Sequence, residues 1–149
     1  MTNEDWLDIL EIEHSRSLHN EIPDLDAISN KIAKMPNEEI FQKIKLLFTK
    51  LGFKNLILKP DAINDTAVIF GSVNKNLQEI KIAVQYASTK VKSHDPIVKF
   101  RTEASKHNNR VFVICADEMI NQLNNINNER VAYIGQRMLA NYFSLFKII

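Results

Sequence analysis

The sequence is poor in cysteine and glycine, and both shortages exclude classes of protein. Cys115 is the single cysteine among 149 residues, which rules out an internal disulfide and a zinc site built from several thiolates. The glycines are Gly52, Gly71 and Gly135. Neither the dinucleotide-binding pattern GxGxxG nor the phosphate-loop pattern GxxxxGK[ST] can be written with them. Nucleotide-binding enzymes of those two types are therefore excluded.

Long apolar runs are missing as well. A run such as 111–116 is far shorter than the roughly 20 residues that a membrane helix requires. The N-terminus carries Asp5, Asp8 and Glu11 where a signal peptide has positive charge. A lone cysteine suits a reducing compartment. We therefore expect a cytoplasmic protein that makes no use of a membrane.

An excess of charge of one sign is the third absence. Nineteen basic and eighteen acidic side chains leave a net charge of +1, so the whole chain has no strong attraction to nucleic acid. The average hides an asymmetry, because acids concentrate in the first 40 residues and bases between 90 and 110. A solvated helix face explains these bases as well as a phosphate-binding patch does. The candidate nucleic-acid-binding residues are Lys90, Lys92, Lys99 and Arg101.

Hydrophobic periodicity predicts an α/β protein. Apolar residues recur at the helical spacing from Asn37, which we expect to cap the helix, to Leu51, and Gly52 is expected to end it. The period then falls to about 2, which predicts strands over 54–59, 66–73 and 77–87. The remaining predicted elements are helices over 3–18 and 24–34, a helix that begins near Pro96, strands over 110–116 and 130–134, and helices over 118–126 and 136–146. This order predicts a mixed central β-sheet flanked by helices.

Three stretches of the chain carry a family resemblance. They are IFQKIKLLFTKLGF, NDTAVIFGSVNKNLQEIKIAVQYA and RVAYIGQRMLANYF. The first resembles the opening helix of the Mrr-type branch of the restriction-endonuclease-like (PD-(D/E)xK) superfamily. The second resembles the metal-binding hairpin of that branch, and the third resembles its closing strand, turn and helix. The resemblance implies a restriction-endonuclease-like αβββαβ core over 37–149, preceded by a helical extension over 1–36.

The resemblance also implies a chemistry. In this family an acid and a Glu or Gln hold a divalent metal, usually Mg²⁺, and a lysine positions the water that attacks a DNA phosphodiester. Magnesium needs hard oxygen ligands, and a nearby cation stabilises the developing negative charge. The implied partner is DNA. Because the chain leaves no room for a separate recognition domain, the helical extension over 1–36, a second copy in a homodimer or a partner subunit is expected to help select a target.

Two sets of residues compete for the metal site. The first is the literal string formed by Pro60-Asp61 and Glu79-Ile80-Lys81. The second is Asp65 with Gln85, in which Ala87 occupies the position of the family's lysine. The geometry of the hairpin distinguishes between these two sets.

A turn centred on Lys75 would place Asp65 opposite Gln85 and Glu79 opposite Gly71. Glu79 would then lie roughly 20 Å along the sheet from Asp65. No single metal ion bridges that distance. We therefore expect Asp65 and Gln85 to be the catalytic and metal-binding pair, although a buried amide bonded to a backbone group explains Gln85 equally well.

The matched site is incomplete. A neutral amide and one carboxylate are a poor magnesium site, and Ala87 supplies no cation. Lys90 or Lys92 is the candidate for a displaced cation. We expect weak or absent hydrolysis, with Mg²⁺ bound or, in a vestigial site, no cofactor. The alternative function is an inactive protein-interaction or regulatory module on the same fold.

Overall fold

The structure is a computed structural model that describes residues 25–61, 65–75, 77–88, 91, 93–123 and 131–148. The helix predicted over 3–18 lies outside the described residues, and so do Lys90 and Lys92. The elements in chain order are α1 Leu25–Lys34, α2 Asn37–Lys50, β1 Lys54–Asp61, β2 Thr66–Lys75, β3 Gln78–Ala87, α3 Asp95–His107, β4 Arg110–Ile114, α4 Asp117–Leu123, β5 Val131–Ile134 and α5 Gln136–Leu145. No helix among the described residues has the length and apolarity needed to cross a bilayer.

The five strands form one sheet in the order β1-β2-β3-β4-β5. The first three strands pair antiparallel, whereas β3 pairs parallel with β4 and β4 with β5. The change of direction therefore falls at the central strand, β3. The prediction of a mixed sheet flanked by helices is confirmed.

The alternating side chains of β3 contribute to two cores, one on each face of the sheet. Ile82, Val84 and Tyr86 belong to the core that contains α2 and α5. Ala83 and Ala87 belong to the core that contains α3 and α4. Successive side chains of a strand point to opposite faces, so this division follows from the sequence.

Helix α1 shares the core of the sheet domain. Its Ile32 is fully buried in the same cluster as residues of α2 and α5. At the surface, Arg137 Nη1 lies 3.0 Å from Asp26 Oδ1 and so ties α5 to α1. The described part of the predicted extension is therefore packed against the domain that follows it.

Several predicted element boundaries differ from the structure by one or two residues, among them the end of β2 at Lys75, and two differences have a clear physical reason. Strand β1 continues through Pro60 to Asp61, beyond the predicted end at residue 59. It is an edge strand, and an edge strand tolerates a proline because its outer side lacks a partner. Asn37 was expected to cap α2, but it is the first helical residue and no side chain caps the helix. Its Nδ2 instead donates to Asp65 Oδ1 at 3.2 Å.

Candidate functional site

The β2–β3 hairpin has a different register from the one expected. Gln85 lies opposite Val68, three residues beyond the expected partner Asp65. The carbonyl of Asp65 instead accepts a hydrogen bond from the backbone N–H of Ser88 at 3.3 Å. The cause is the turn, which follows the pair Lys75–Gln78 and so lies later than the expected centre at Lys75.

The odd shift in register separates the two expected metal ligands. Directly opposed residues of a ladder share a face, and a shift by an odd number of residues moves them to opposite faces. Asp65 also has a left-handed backbone conformation, with φ of 56°. Its side chain accordingly meets Asn37 of α2, whereas Gln85 meets Pro96 of α3.

The Asp65 cavity, of about 240 Å³, is acidic. Glu38, Asp61 and Asp65 all contribute to its lining, and the Asn37 amide is hydrogen-bonded to Asp65. The lining residues are Asn37, Glu38, Phe41, Pro60, Asp61, Asp65 and Thr66. Three carboxylates around one cavity repel a bare phosphate and attract a cation.

The Gln85 cavity, of about 290 Å³, lies on the other side of the sheet, against α3. Gln85 itself is only 3% exposed, and its Nε2 donates to the carbonyl of Pro96 at 3.4 Å. The expectation that a backbone group bonds this amide is confirmed for Nε2. Gln85 Oε1 is buried and accepts no hydrogen bond from any residue described. The lining residues are Asp61, Thr66, Val68, Gln85, Pro96, Lys99, Phe100 and Glu103.

The expected Mg²⁺ ligands do not fit the ion. Asp65 and Gln85 line different cavities, and what the two cavities share is Asp61 and Thr66. In the part of the chain that the structure describes, no group of three or more His, Cys, Asp or Glu side chains is arranged to hold a metal. Magnesium demands near-octahedral oxygen coordination at close range. We therefore derive no catalytic step through a metal at Asp65 and Gln85.

The literal PD…ExK string is separated by the hairpin, as its geometry predicts. Asp61 lies opposite Thr66 and Glu79 lies opposite Asn74, which is eight residues further along β2, a distance of about 26 Å. Lys81 Nζ lies 3.9 Å from Glu79 Oε1, and both side chains are exposed. Glu79 and Lys81 therefore form a solvated pair at the far end of the sheet.

The predicted cations have different surroundings. Lys99 is exposed and lines the Gln85 cavity. Arg101 is 4% exposed, and its Nη1 donates to the hydroxyl of Tyr133 at 2.7 Å. A buried guanidinium held by a neighbouring strand cannot reach a phosphate backbone, so Arg101 is no part of the candidate interface. Lys90 and Lys92 lie outside the described residues.

The sequence did not predict that two residues, Asp61 and Lys99, line the Gln85 cavity. Asp61 was set aside together with the ExK string, yet it lies opposite Thr66 at the end of β1 and lines both cavities. Lys99 was identified as a surface cation but not as a neighbour of Gln85. The sequence signal for Asp61 is the proline before it. A proline is tolerated on an edge strand, so Pro60 need not end β1 before Asp61.

Tyr86 lies between Gln85 and Ala87 in the chain, and its side chain faces the other way from that of Gln85. Its ring packs edge-on against Phe41, with centroids 5.7 Å apart. Burial raises the pKa of the Tyr86 phenol above its usual value. The phenol is therefore a protonated core group at neutral pH and supplies neither a base nor a charge at the Gln85 cavity.

The chain matches no protein-family model, no curated protein and no solved structure.

Proposed function

We propose that this protein binds DNA at the end of the sheet where β2 begins and β3 ends, and that its metal-dependent phosphodiester hydrolysis is weak or lost. The observation that carries the proposal is the position of Lys99. This exposed cation lines the same cavity as Gln85, at the end of the sheet where the resemblance implies a bound phosphate. Ala87, at the position of the family's lysine, is buried and uncharged.

The order of elements supports a restriction-endonuclease-like core over 37–149. From α2 onward the chain forms a helix, three antiparallel strands, the helix α3 and then β4, which is parallel to β3. This is the αβββαβ order that the resemblance implies. The acids and the glutamine of both candidate strings, apart from Glu79, lie at the end of the sheet proposed to bind DNA.

The loss of hydrolysis follows from the charges and their placement. Lys99 supplies one positive charge, which attracts a phosphate but does not activate water. The carboxylates of Glu38, Asp61 and Asp65 line the adjoining Asp65 cavity and repel the DNA backbone. The backbone is therefore expected to lie along α3, and the described residues place few cations against it. Binding is expected to be modest and salt-dependent.

The test is a titration of a fluorescent DNA duplex at several salt concentrations, with wild-type protein and two lysine variants. Lys99→Ala is expected to weaken binding and to lower the slope of log affinity against log salt by about 1, the value for one lost phosphate contact. Lys81→Ala is the matched control. It also removes one exposed lysine, but at the opposite end of the sheet. Equal affinities for all three proteins would contradict the proposal.

Cleavage is measured separately from binding. Wild-type protein incubated with DNA and Mg²⁺ or Mn²⁺ is expected to leave the DNA intact or to cut it only slowly. Rapid cutting by pure protein would show that hydrolysis survives. If the Asp61→Asn variant then failed to cut DNA while the Glu79→Gln variant still cut it, the site of hydrolysis would lie at the same end of the sheet as Lys99.

The second candidate is an interaction module that has lost the chemistry. The observation that favours it is Ile57, which is 57% exposed on the edge strand β1. An edge strand presents backbone groups that a partner strand can pair with. The absence of DNA binding at low salt, together with association that Ile57→Lys abolishes, would favour this candidate.

A further inference from the structure

The Gln85 cavity has a buried polar floor and a charged rim. Gln85 and Thr66 are buried, whereas Lys99 and Glu103 are exposed. Phe100 supplies a half-buried aromatic wall. The volume of the cavity, about 290 Å³, lies just below the range for ligand sites, roughly 300–1,000 Å³. A cavity of this size suits one planar ring better than a larger ligand.

The floor of this cavity contains an acceptor that the described residues leave unpaired. Gln85 is more than nine-tenths buried, and its Oε1 accepts no hydrogen bond from them. An unpaired buried acceptor is costly, so native structures seldom retain one without a reason. This oxygen lies beneath the surface of the cavity, so a ligand N–H group would satisfy it once the amide turned towards the cavity.

We propose that the Gln85 cavity receives a single unpaired base of the bound DNA. The inference rests on the proposed DNA binding and adds the structure of the target. In a duplex, the N–H groups of the pairing edge are engaged and the base is held in the stack. An extruded base presents an N–H donor beside an acceptor, which matches Oε1 and the second N–H of Nε2, whose first N–H is donated to the Pro96 carbonyl.

The other lining groups fit the same occupant. Phe100 and Val68 offer apolar contact to the faces of a ring, and base–aromatic stacking is tolerant of sequence. Asp61 and Glu103 add acceptors for N–H groups and repel phosphate from the interior. Lys99 at the rim is then positioned for the phosphate beside the extruded base. The proposed target is therefore DNA with a bulged, mismatched or single-stranded nucleotide.

The test compares two duplexes of the same sequence, one fully paired and one with a single bulged 2-aminopurine. Wild-type protein is expected to bind the bulged duplex about tenfold more tightly. The 2-aminopurine emission is expected to change on binding, because the base exchanges its stacked neighbours for the Phe100 ring. Gln85→Leu is expected to lower the ratio of the two affinities towards one.

Two further variants keep the result interpretable. Gln78→Leu makes the same change at the exposed start of β3 and is expected to leave the ratio unchanged. Val68→Phe keeps the Gln85 side chain but fills the cavity from the directly opposed position on β2, and it is expected to lower the ratio, which covers the case of a Gln85 variant that fails to fold. A wild-type protein that binds both duplexes equally overturns this inference and leaves the proposed function standing. A protein that binds neither duplex at low salt overturns both.

Discussion

Arg101 of α3 donates a hydrogen bond from Nη1 to the hydroxyl of Tyr133 in β5, at 2.7 Å. This bond joins a helix to an edge strand of the sheet across the core that both elements cover. Arg101 as a whole is 4% exposed. Arg101 therefore stabilises the interior of the fold, although it lies in a basic stretch of the sequence.

Tyr133→Phe is expected to destabilise the protein by about 1–3 kcal/mol, since it removes the acceptor of a buried charged donor. Urea unfolding followed by circular dichroism measures the change. The exposed Lys106→Ala in the same helix is a control that should remain within about 0.5 kcal/mol of wild type. A Tyr133→Phe protein as stable as wild type would show that the bond contributes nothing to stability.

Gly71→Ala is expected to destabilise the β1–β2 pairing. A Cβ atom at Gly71 would collide with Leu56 Cδ2 and lie 3.3 Å from the carbonyl oxygen of Lys54. The colliding atom is the end of the Leu56 side chain, which can turn aside, so the cost is expected at the low end of the range for overpacking, about 1 kcal/mol. Thermal unfolding provides the measurement.

The matching control for Gly71 is a double-mutant cycle with Leu56→Ala. Removal of the leucine side chain makes room for the new methyl group, so the double variant should be more stable than the sum of the two single effects predicts. If the two single destabilisations simply added in the double variant, the effect of Gly71→Ala would not come from its contact with Leu56.

Leu77→Gly is expected to stabilise the hairpin. Leu77 has φ of 67° and is fully exposed, so its side chain contributes no burial to offset the left-handed backbone. That conformation costs a side-chain-bearing residue about 1–2 kcal/mol, and glycine avoids the cost at an entropic penalty of roughly 0.5–1 kcal/mol. The melting temperature of Leu77→Gly should therefore rise. Leu77→Ala keeps the Cβ atom and should not share the gain.

Cys115 is expected to be chemically inert in the folded protein. Burial, assisted by the nearby Asp117 carboxylate, raises the pKa of the Cys115 thiol to about 12. The thiolate is the reactive form, so a thiol reagent at pH 8 should label native protein very slowly and urea-unfolded protein rapidly. Fast labelling of folded protein would contradict the buried placement.

The same pKa predicts the direction of a pH effect on stability. The unfolded thiol ionises near its ordinary pKa of about 9.0, while the folded thiol stays protonated until about 12. The unfolded state therefore binds fewer protons in this interval, and the free energy of unfolding should fall as the pH rises through it. Cys115→Ala should show a shallower decline between these pH values. An unchanged slope would assign the alkaline loss to other groups.

The alternating pattern of β3 shows what local sequence can predict. Ile82 and Val84 alternate with Ala83 and Gln85, and the structure divides them between the two faces as the period of 2 requires. The long amphipathic helix from Asn37 was predicted from spacing, and its apolar positions are buried. These features depend on residues close together in the chain.

The site residues show where local reasoning fails. Asp65 was paired with Gln85 because the turn was placed at Lys75, and the later turn moved the partner to Val68. Periodicity is insensitive to such an error, because it counts spacing within one strand and not alignment between two. Local reasoning also fails for Lys99. Its position beside the Gln85 cavity depends on how α3 packs against the sheet, which spacing within the helix does not determine.

The sequence by itself determined the α/β class, the two-faced alternation of β3 and the absence of glycine-rich nucleotide loops. The tertiary structure alone decided that Asp65 and Gln85 line separate cavities, that Arg101 is buried and that Lys99 lines the same cavity as Gln85. The physical reason is the range of the interactions. Helix and strand periods are set by neighbours in the chain, whereas register and burial are set by turns and by packing between distant segments.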